Sequence, residues 1–245
     1  MVHPLGISES RATIKKDWSN SPYYEDIEAA TFVFWSDEWP FFNLFGQLNL
    51  ENCIELACGH GRHTEKALVA SSHFTLVDIN KSNIDFCKKR FGGRPNVSFL
   101  VNDGSTLNPL QDGLYSSLFC YDAMVHFEMH DVIRYLDETY RILRPGGCGL
   151  FHFSNYDRAP GGHYHDNPHW RNFNSIAIFS HFATRAGFEI VTAKPVNWGD
   201  SIDLDGIALL RKPGSRDHRP PRLTPSSTSP KGSIVKRLVR RLSRS

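Results

Sequence analysis

The chain has 245 residues, enough for one sizeable domain with appendages, and its 40% hydrophobic and 22% charged content is that of a soluble globular protein. No apolar run approaches the roughly 20 residues needed to span a bilayer, and the N-terminus, with His3, Glu9 and Arg11, lacks the apolar core of a secretory signal. The net charge of +2 is divided: from Gly214 onward nine Lys/Arg meet one acid, Asp217, so the body before it has 19 basic against 25 acidic residues, a poor general nucleic-acid binder.

Residues 1–50 are the most aromatic part of the chain, with Trp18, Tyr23, Tyr24, Phe32, Phe34, Trp35, Trp39, Phe41, Phe42 and Phe45. Helical spacing runs over 25–35 and Pro40 interrupts it, which suits a helical cap covering one edge of a sheet. An apolar run from Cys53 then reads as a buried strand, broken by Gly59 and Gly61 and followed by a helix over 62–69. Strand, glycine turn and helix in that order set free backbone N–H groups beside a ligand-sized opening. A dinucleotide fingerprint would continue to a third Gly or Ala, but Thr64 stands there. Glu55, inside the first strand, would be a buried carboxylate without a partner unless a cationic group of the ligand lies nearby.

A second short strand over 74–78 ends in Asp78, 23 positions after Glu55 and close to the offset of about 20 at which an acid meets ribose hydroxyls. Asn80 is placed to cap a helix over 81–90, which frees Asp78 for a ligand. Strands follow at 96–101, before Asn102-Asp103-Gly104, and at 118–121, before Asp122. Residues 131–143 have helical spacing, Arg144-Pro145-Gly146-Gly147 stop them, and 148–153 form a fifth strand. A helix over 175–186 and strands over 188–193 and 206–210 complete the alternation, which implies a mostly parallel sheet covered on both faces. Cys53, Cys58, Cys87, Cys120 and Cys148 lie mostly in apolar runs without a C-x-x-C pair and read as reduced core cysteines of a cytoplasmic protein.

The stretch E-L-A-C-G-H-G-R from Glu55, L-V-D-I-N from Leu76, the Asn102-Asp103-Gly104 turn and R-I-L-R-P-G-G from Arg141 resemble, in order and spacing, the motifs of class I S-adenosylmethionine-dependent methyltransferases, loosely those of bacterial polysaccharide pathways. The resemblance covers roughly residues 52–212. It implies an α/β, Rossmann-like, seven-stranded and mostly parallel sheet with helices on both faces, whose final strand runs antiparallel. It implies S-adenosyl-L-methionine as cofactor, with Glu55 near its amino group, Asp78 on the ribose and Asp103 beside the adenine amine. Ala57, Cys58, Gly59, Gly61, Ile79, Gly104 and Tyr121 complete the implied cofactor set. Family members often carry N-terminal lids, which makes Tyr23 and Tyr24 candidates for a wall of the substrate site.

Ligands in open α/β sheets sit outside the carboxyl ends of the strands, so a base should follow the fourth or fifth strand. His126 is the first candidate and His152, flanked by Phe151 and Phe153, the second. The absence of Asn/Asp-Pro-Pro-aromatic after the fourth strand counts against amine acceptors of that type. Asp122 with Asn155 or Asp157 offers oxygen ligands of the kind that hold Mg²⁺, and the loop with His163, His165, His169 and Trp170 lacks zinc spacing, so no metal is assigned. That loop, with Asn155, is instead expected to recognise substrate.

The expected activity is O-methylation of a hydroxyl on a glycan or small molecule. A small-amine N-methyltransferase and a non-catalytic module that keeps the cofactor fold are the alternatives. The domain division is a cap over 1–50, the catalytic domain over 51–213, a Pro/Ser/Thr/Arg-rich linker over 214–232 and a basic amphipathic tail over 233–245. In the tail Ile234, Val235, Leu238, Val239 and Leu242 form one helical stripe opposite Lys236, Arg237, Arg240, Arg241 and Arg244. Such a stripe offers attachment to an anionic surface at the inner face of the membrane.

Overall fold

A computed structural model describes residues 6–214; the linker and tail expectations lie outside the described residues apart from Gly214. The chain starts with α1 (Ile7–Asp17), α2 (Tyr23–Glu28), α3 (Thr31–Phe34) and α4 (Pro40–Phe45). The single helix expected over 25–35 is thus two. Ile27's carbonyl accepts the Ala30 N–H at 3.0 Å and the Thr31 hydroxyl at 3.4 Å, so the ladder steps there.

The sheet follows with β1 (Asn52–Leu56), α5 (Thr64–Ala67), β2 (His73–Asp78), α6 (Lys81–Phe91), β3 (Val97–Val101) and β4 (Tyr115–Cys120). It continues with α7 (Met129–Ile142), β5 (Leu143–Ser154), α8 (Ile176–Arg185), β6 (Glu189–Trp198) and β7 (Ser201–Arg211). The seven strands run in the order β3-β2-β1-β4-β5-β7-β6. All neighbours from β3 to β5 pair parallel, and β7 is antiparallel to both β5 and β6, as expected of the final strand.

Alternation along each strand feeds two cores. Cys53, Phe74, Phe119 and Leu150 pack on one face with Ile27, Phe41, Phe45 and Cys87. Ile54, Val77, Leu118 and Phe151 pack on the other with Val132 and Leu136 of α7 and Phe179 of α8. The N-terminal cap therefore covers a face of the sheet rather than an edge, because the large rings of α4 fill the space above the central strands. All five cysteines are buried and free. Among the described residues no helix is long and apolar enough to cross a membrane.

Candidate active site

The carboxyl ends of β1, β2 and β4 open onto a cavity enclosing about 960 Å³ of empty space, part of it open to solvent. Helix α1 closes one side, tied to α7 by Arg11 Nε donating to Asp131 at 2.9 Å and by Ser10 donating to Glu128. A strand–turn–helix unit shapes the opposite wall. Ala57, Gly59 and Gly61 hold φ of +55°, +53° and +77°, values that favour glycine. A Cβ on Gly59 would stand 2.6 Å from Tyr24 Cε1, so the turn takes its glycine because a ring of the cap lies on it.

Asp78 organises this wall. Its carboxylate accepts the Gly59 N–H at 2.9 Å, the Asn80 N–H at 2.8 Å and the Asn83 amide at 3.2 Å. The expectation that Asn80 would cap α6 is corrected, since its side chain donates to the Lys15 carbonyl at 3.0 Å and Asp78 serves the helix start. Burial pushes the Asp78 carboxyl up to about 6 against the pull of these bonds. Beside it, Ile79 and Gly104 line the cavity, and so does Asn102, whose buried Oδ1 has no protein partner. A carboxylate for hydroxyls, a spare amide oxygen for an N–H and a side-chain-free turn together fit an adenosine-bearing cofactor.

Three residues of the expected cofactor set lie outside the lining. Asp103 is absent from the cavity lining and turns its carboxylate into its own turn, accepting from the Ser105 and Thr106 N–H groups at 2.8 and 2.6 Å. Glu55 is buried behind the wall, accepts the Thr64 hydroxyl, and is pushed by burial up to about 8. Ala57, Cys58, Gly59 and Tyr121 do line the cavity, whereas Gly61 packs against Phe91 and Cys87.

The far wall follows β4. Asp122 holds φ +54°, fixed by its N–H donating to His152 Nδ1 at 3.2 Å and by Oδ2 accepting Tyr23 Oη at 2.6 Å and Arg62 Nη2 at 2.5 Å. Tyr23 and Tyr24 both line the cavity, and Trp18 lies against His126 with ring centroids 4.7 Å apart. His126 Nδ1 is 2.7 Å from the Trp170 carbonyl. A carbonyl only accepts, so Nδ1 carries the proton and Nε2 keeps a free lone pair on a cavity-lining side chain. Burial, then Arg171, lowers His126 to about 4 and keeps it neutral.

His152 is corrected as a candidate base. It is fully buried, lines no part of the cavity, and spends both nitrogens, Nδ1 on the Asp122 N–H and Nε2 on Asp205 at 3.0 Å. Burial opposes ionisation of Asp205, yet Arg171, paired with both its oxygens, and His152 hold it well below the usual carboxylate range. The strand alternation does turn His152 away from Phe151 and Phe153, but the cap covers that face too.

The substrate residues expected in the polar loop also lie outside the lining. Asn155 donates to the Asp203 carbonyl and accepts the Ile176 N–H, at 2.8 and 3.0 Å. His163 accepts the His165 N–H, and His165 meets Asp17 at 2.8 Å, which pins the loop to the end of α1. Trp170 touches Trp18 edge-on and acts on the cavity through its carbonyl. Asp122 and Asn155 are thus engaged separately, and among the described residues no group of three or more His, Cys, Asp or Glu gathers to hold a metal. Among the lining residues to which spacing gave no role are Trp18, His63, Asn102 and Arg62; for Arg62 a cation directly after a glycine turn was the available signal.

Residues 53–147 match the family model described as a methyltransferase domain. The fatty-acid O-methyltransferase of Mycolicibacterium smegmatis is 27% identical over 164 residues, 64% of this chain and 56% of that protein. The phthiotriol/phenolphthiotriol dimycocerosates methyltransferase of Mycobacterium leprae is 32% identical over 158 residues, 60% of this chain and 54% of that protein. The chain thus spans about half the length of these curated relatives. The crystal structure of N-methyltransferase NodS from Bradyrhizobium japonicum WM9 with S-adenosyl-L-homocysteine superposes with TM-score 0.61 at 16% identity, covering 83% of this chain and 98% of that one. The fold is that of S-adenosylmethionine-dependent methyltransferases, and S-adenosylmethionine is the cofactor the domain implies.

Proposed function

We propose that this chain, which carries a methyltransferase domain of the S-adenosylmethionine-dependent class, moves the cofactor's methyl group to a hydroxyl oxygen of a small acceptor with an apolar body. The observation that carries the reading is His126: its Nδ1–H is committed to the Trp170 carbonyl, so Nε2 is the nitrogen left to take a proton. The aromatic rings of Trp18 and Tyr23 in the cavity wall suit an apolar body. The names of the two curated relatives, one fatty-acid and one dimycocerosate, support a lipid-like acceptor over the glycan expected from sequence.

In this reading Asp78, Asn102, Ile79 and Gly104 hold the adenosine part. When bound, the cofactor supplies a methyl group already activated by its positive sulfur. The protein's remaining tasks are to orient the acceptor oxygen in line and to remove its proton. His126 Nε2 takes that proton, the Trp170 carbonyl steadies the ring, and Trp18 holds it from the side. Tyr23, Arg62 and His152 fix Asp122, and with it the backbone that leads from β4 to His126.

The cap over 1–50 and the domain over 51–213 belong to the same reading, and the basic stripe at 233–245 would hold such an enzyme on an anionic lipid surface. Labelled S-adenosylmethionine presented to lipid, glycan and small-amine pools tests the acceptor. Label in hydroxylated lipids is expected. Label confined to amines overturns the oxygen assignment, and no transfer to any pool favours a binding module.

A further inference from the structure

One buried carboxylate stands behind both supports of His126. Asp205, in β7, is fully buried, and Arg171 donates to its Oδ1 from Nε at 2.8 Å and to its Oδ2 from Nη2 at 2.6 Å. Oδ2 also meets His152 Nε2 at 3.0 Å. Trp198 packs against the group: Arg171 Cζ lies 4.7 Å from its ring centroid, and the His152 ring stacks on it at 5.6 Å. Asp205, Arg171, His152 and Trp198 all lie outside the cavity lining, so none of them is placed to touch a ligand there.

Arg171 acts on the polar loop. Its Nη1 donates to the His169 carbonyl at 2.8 Å, and its own carbonyl accepts the Asn167 amide at 2.8 Å. Between those bonds His169 and Trp170 hold φ of +50° and +56°, a left-handed pair that residues with a Cβ keep only where the surroundings impose it. That turn presents the Trp170 carbonyl to His126 Nδ1. His152 acts on the end of β4. Its Nδ1 accepts the Asp122 N–H, so Nε2 carries the ring proton and donates it to Asp205. Asp122, at φ +54°, is where the chain leaves the strand for the short turn 124–126 that carries His126. Asn172, next to Arg171, closes the circuit: its N–H donates to the Val125 carbonyl at 2.9 Å and its amide to the His126 carbonyl at 3.3 Å.

Neutral imidazole carries its proton on either nitrogen, and only the Nδ1–H form leaves Nε2 free to take a proton in the cavity. Apolar side chains of similar volume often stabilise a fold as well as a buried ion pair does, so what a planar fork and its carboxylate add here is fixed geometry. We propose that Asp205 and Arg171 are positioning residues that hold His126 in its Nδ1–H form through the Trp170 carbonyl, while His152 ties the same carboxylate to Asp122. The proposal rests on the reading of His126 as the base, and the state of the ring and the transfer of methyl are measured separately so that each can fail alone.

Nitrogen-15 NMR of the full chain, labelled at histidine and saturated with S-adenosylhomocysteine at pH 7, shows which ring nitrogen of His126 is protonated; His126→Ala identifies the signals. The unaltered chain should show the Nδ1–H form alone. The double variant Arg171→Met with Asp205→Leu replaces the whole ion pair with apolar side chains and should keep S-adenosylhomocysteine affinity within about twofold, since neither residue lines the cavity. In it the His126 ring should become a mixture of the two forms. Transfer of label from S-adenosylmethionine to hydroxylated lipids should fall about tenfold to a hundredfold, the loss expected when a reacting group is misplaced. Arg171→Lys keeps the charge beside Asp205 but not the fork that joins it to the His169 carbonyl; it should mix the forms too, and serves if the double variant does not fold. A ring that stays in the Nδ1–H form in the folded variant overturns the proposal, whether transfer falls or not. Mixed forms with unaltered transfer uphold the positioning and overturn the base reading instead.

Discussion

The backbone carbonyl of Trp170 and the imidazole of His126, 44 positions apart in sequence, meet at 2.7 Å and together determine which nitrogen of the ring is basic. The loop that carries Trp170 thus contributes to the cavity through its main chain. Replacing His126 with Ala should lower kcat by about 10²–10⁴, the usual contribution of general acid–base catalysis, and leave S-adenosylhomocysteine affinity within about twofold. Because His126 is held down to about 4, the base is unprotonated across the neutral range and protonates only in acid. At saturating cofactor, kcat should therefore show no histidine inflection between about pH 5 and 8 and fall as the pH drops through about 4. An inflection near 6.5 that vanishes in His126→Ala would mean the ring is more solvated than its packing against Trp18 implies.

Asp78 predicts a separate acid limb, in affinity rather than turnover. Its free-state value of about 6 lies above the usual carboxylate range, so the ionised acceptor that ribose hydroxyls need is lost as pH falls through 6. Cofactor binding should weaken by up to about tenfold per unit below that point. Asp78→Ala should cost about 1–3 kcal/mol of binding at neutral pH and abolish the limb. Calorimetry from pH 5 to 8 reads both; unaltered affinity in the variant would remove the carboxylate from ribose recognition.

The legible part of this chain is what local pattern alone dictates. Strands buried on both faces, such as β1 and β4, stand out as apolar runs, and the glycine turn and Asp78 are marked by residue types that nothing else at that place requires. Helix α1 did not stand out: Ser10 and Ile14 are its buried residues, and its ties to α7, Arg11–Asp131 and Ser10–Glu128, span 120 and 118 positions. Strands β6 and β7 run longer than expected because their outer halves pair with each other while exposing neighbouring residues such as Ile202 and Asp203, which erases the apolar signal. Arg62 meets Asp122 across 60 positions and His63 meets Trp35 across 28, tertiary facts that spacing does not encode.

Ala57 is a local exception within the best-marked motif. It is a non-glycine residue at φ +55°, a conformation that costs about 1–2 kcal/mol in a residue with a Cβ. Ala57→Gly relieves that strain and gives back about 0.5–1 kcal/mol through the greater freedom of the unfolded chain. The net expectation is a gain of up to about 1.5 kcal/mol, a Tm rise of up to about 6 °C at this size. Scanning calorimetry checks it, and a lower Tm would show that the contacts of the Ala57 methyl with the neighbouring core outweigh the backbone term.

Glu55 gives the last prediction, because its role turns on a proton. The side chain is buried, accepts a single hydroxyl from Thr64, and is raised by burial to about 8, so in the free protein at pH 7 it is about nine-tenths protonated. If the amino group of the cofactor settles near it, as the family resemblance implies, the ammonium favours the carboxylate, and an opposite charge at close range lowers such a value by about 1–3 units. Binding should then expel about 0.4–0.9 of a proton at pH 7. Asp78, at about 6, is already largely ionised there and contributes little. Titrating S-adenosylhomocysteine into the protein in buffers of different ionisation enthalpy measures the released proton directly, and raising the pH above about 8 should make the release disappear. Glu55→Gln keeps the shape and a partner for Thr64 while removing the titration, so it should bind with no proton release. A wild-type release near zero at pH 7 would place the ammonium out of reach of Glu55 and leave this carboxyl as the anchor of the Thr64 hydroxyl alone.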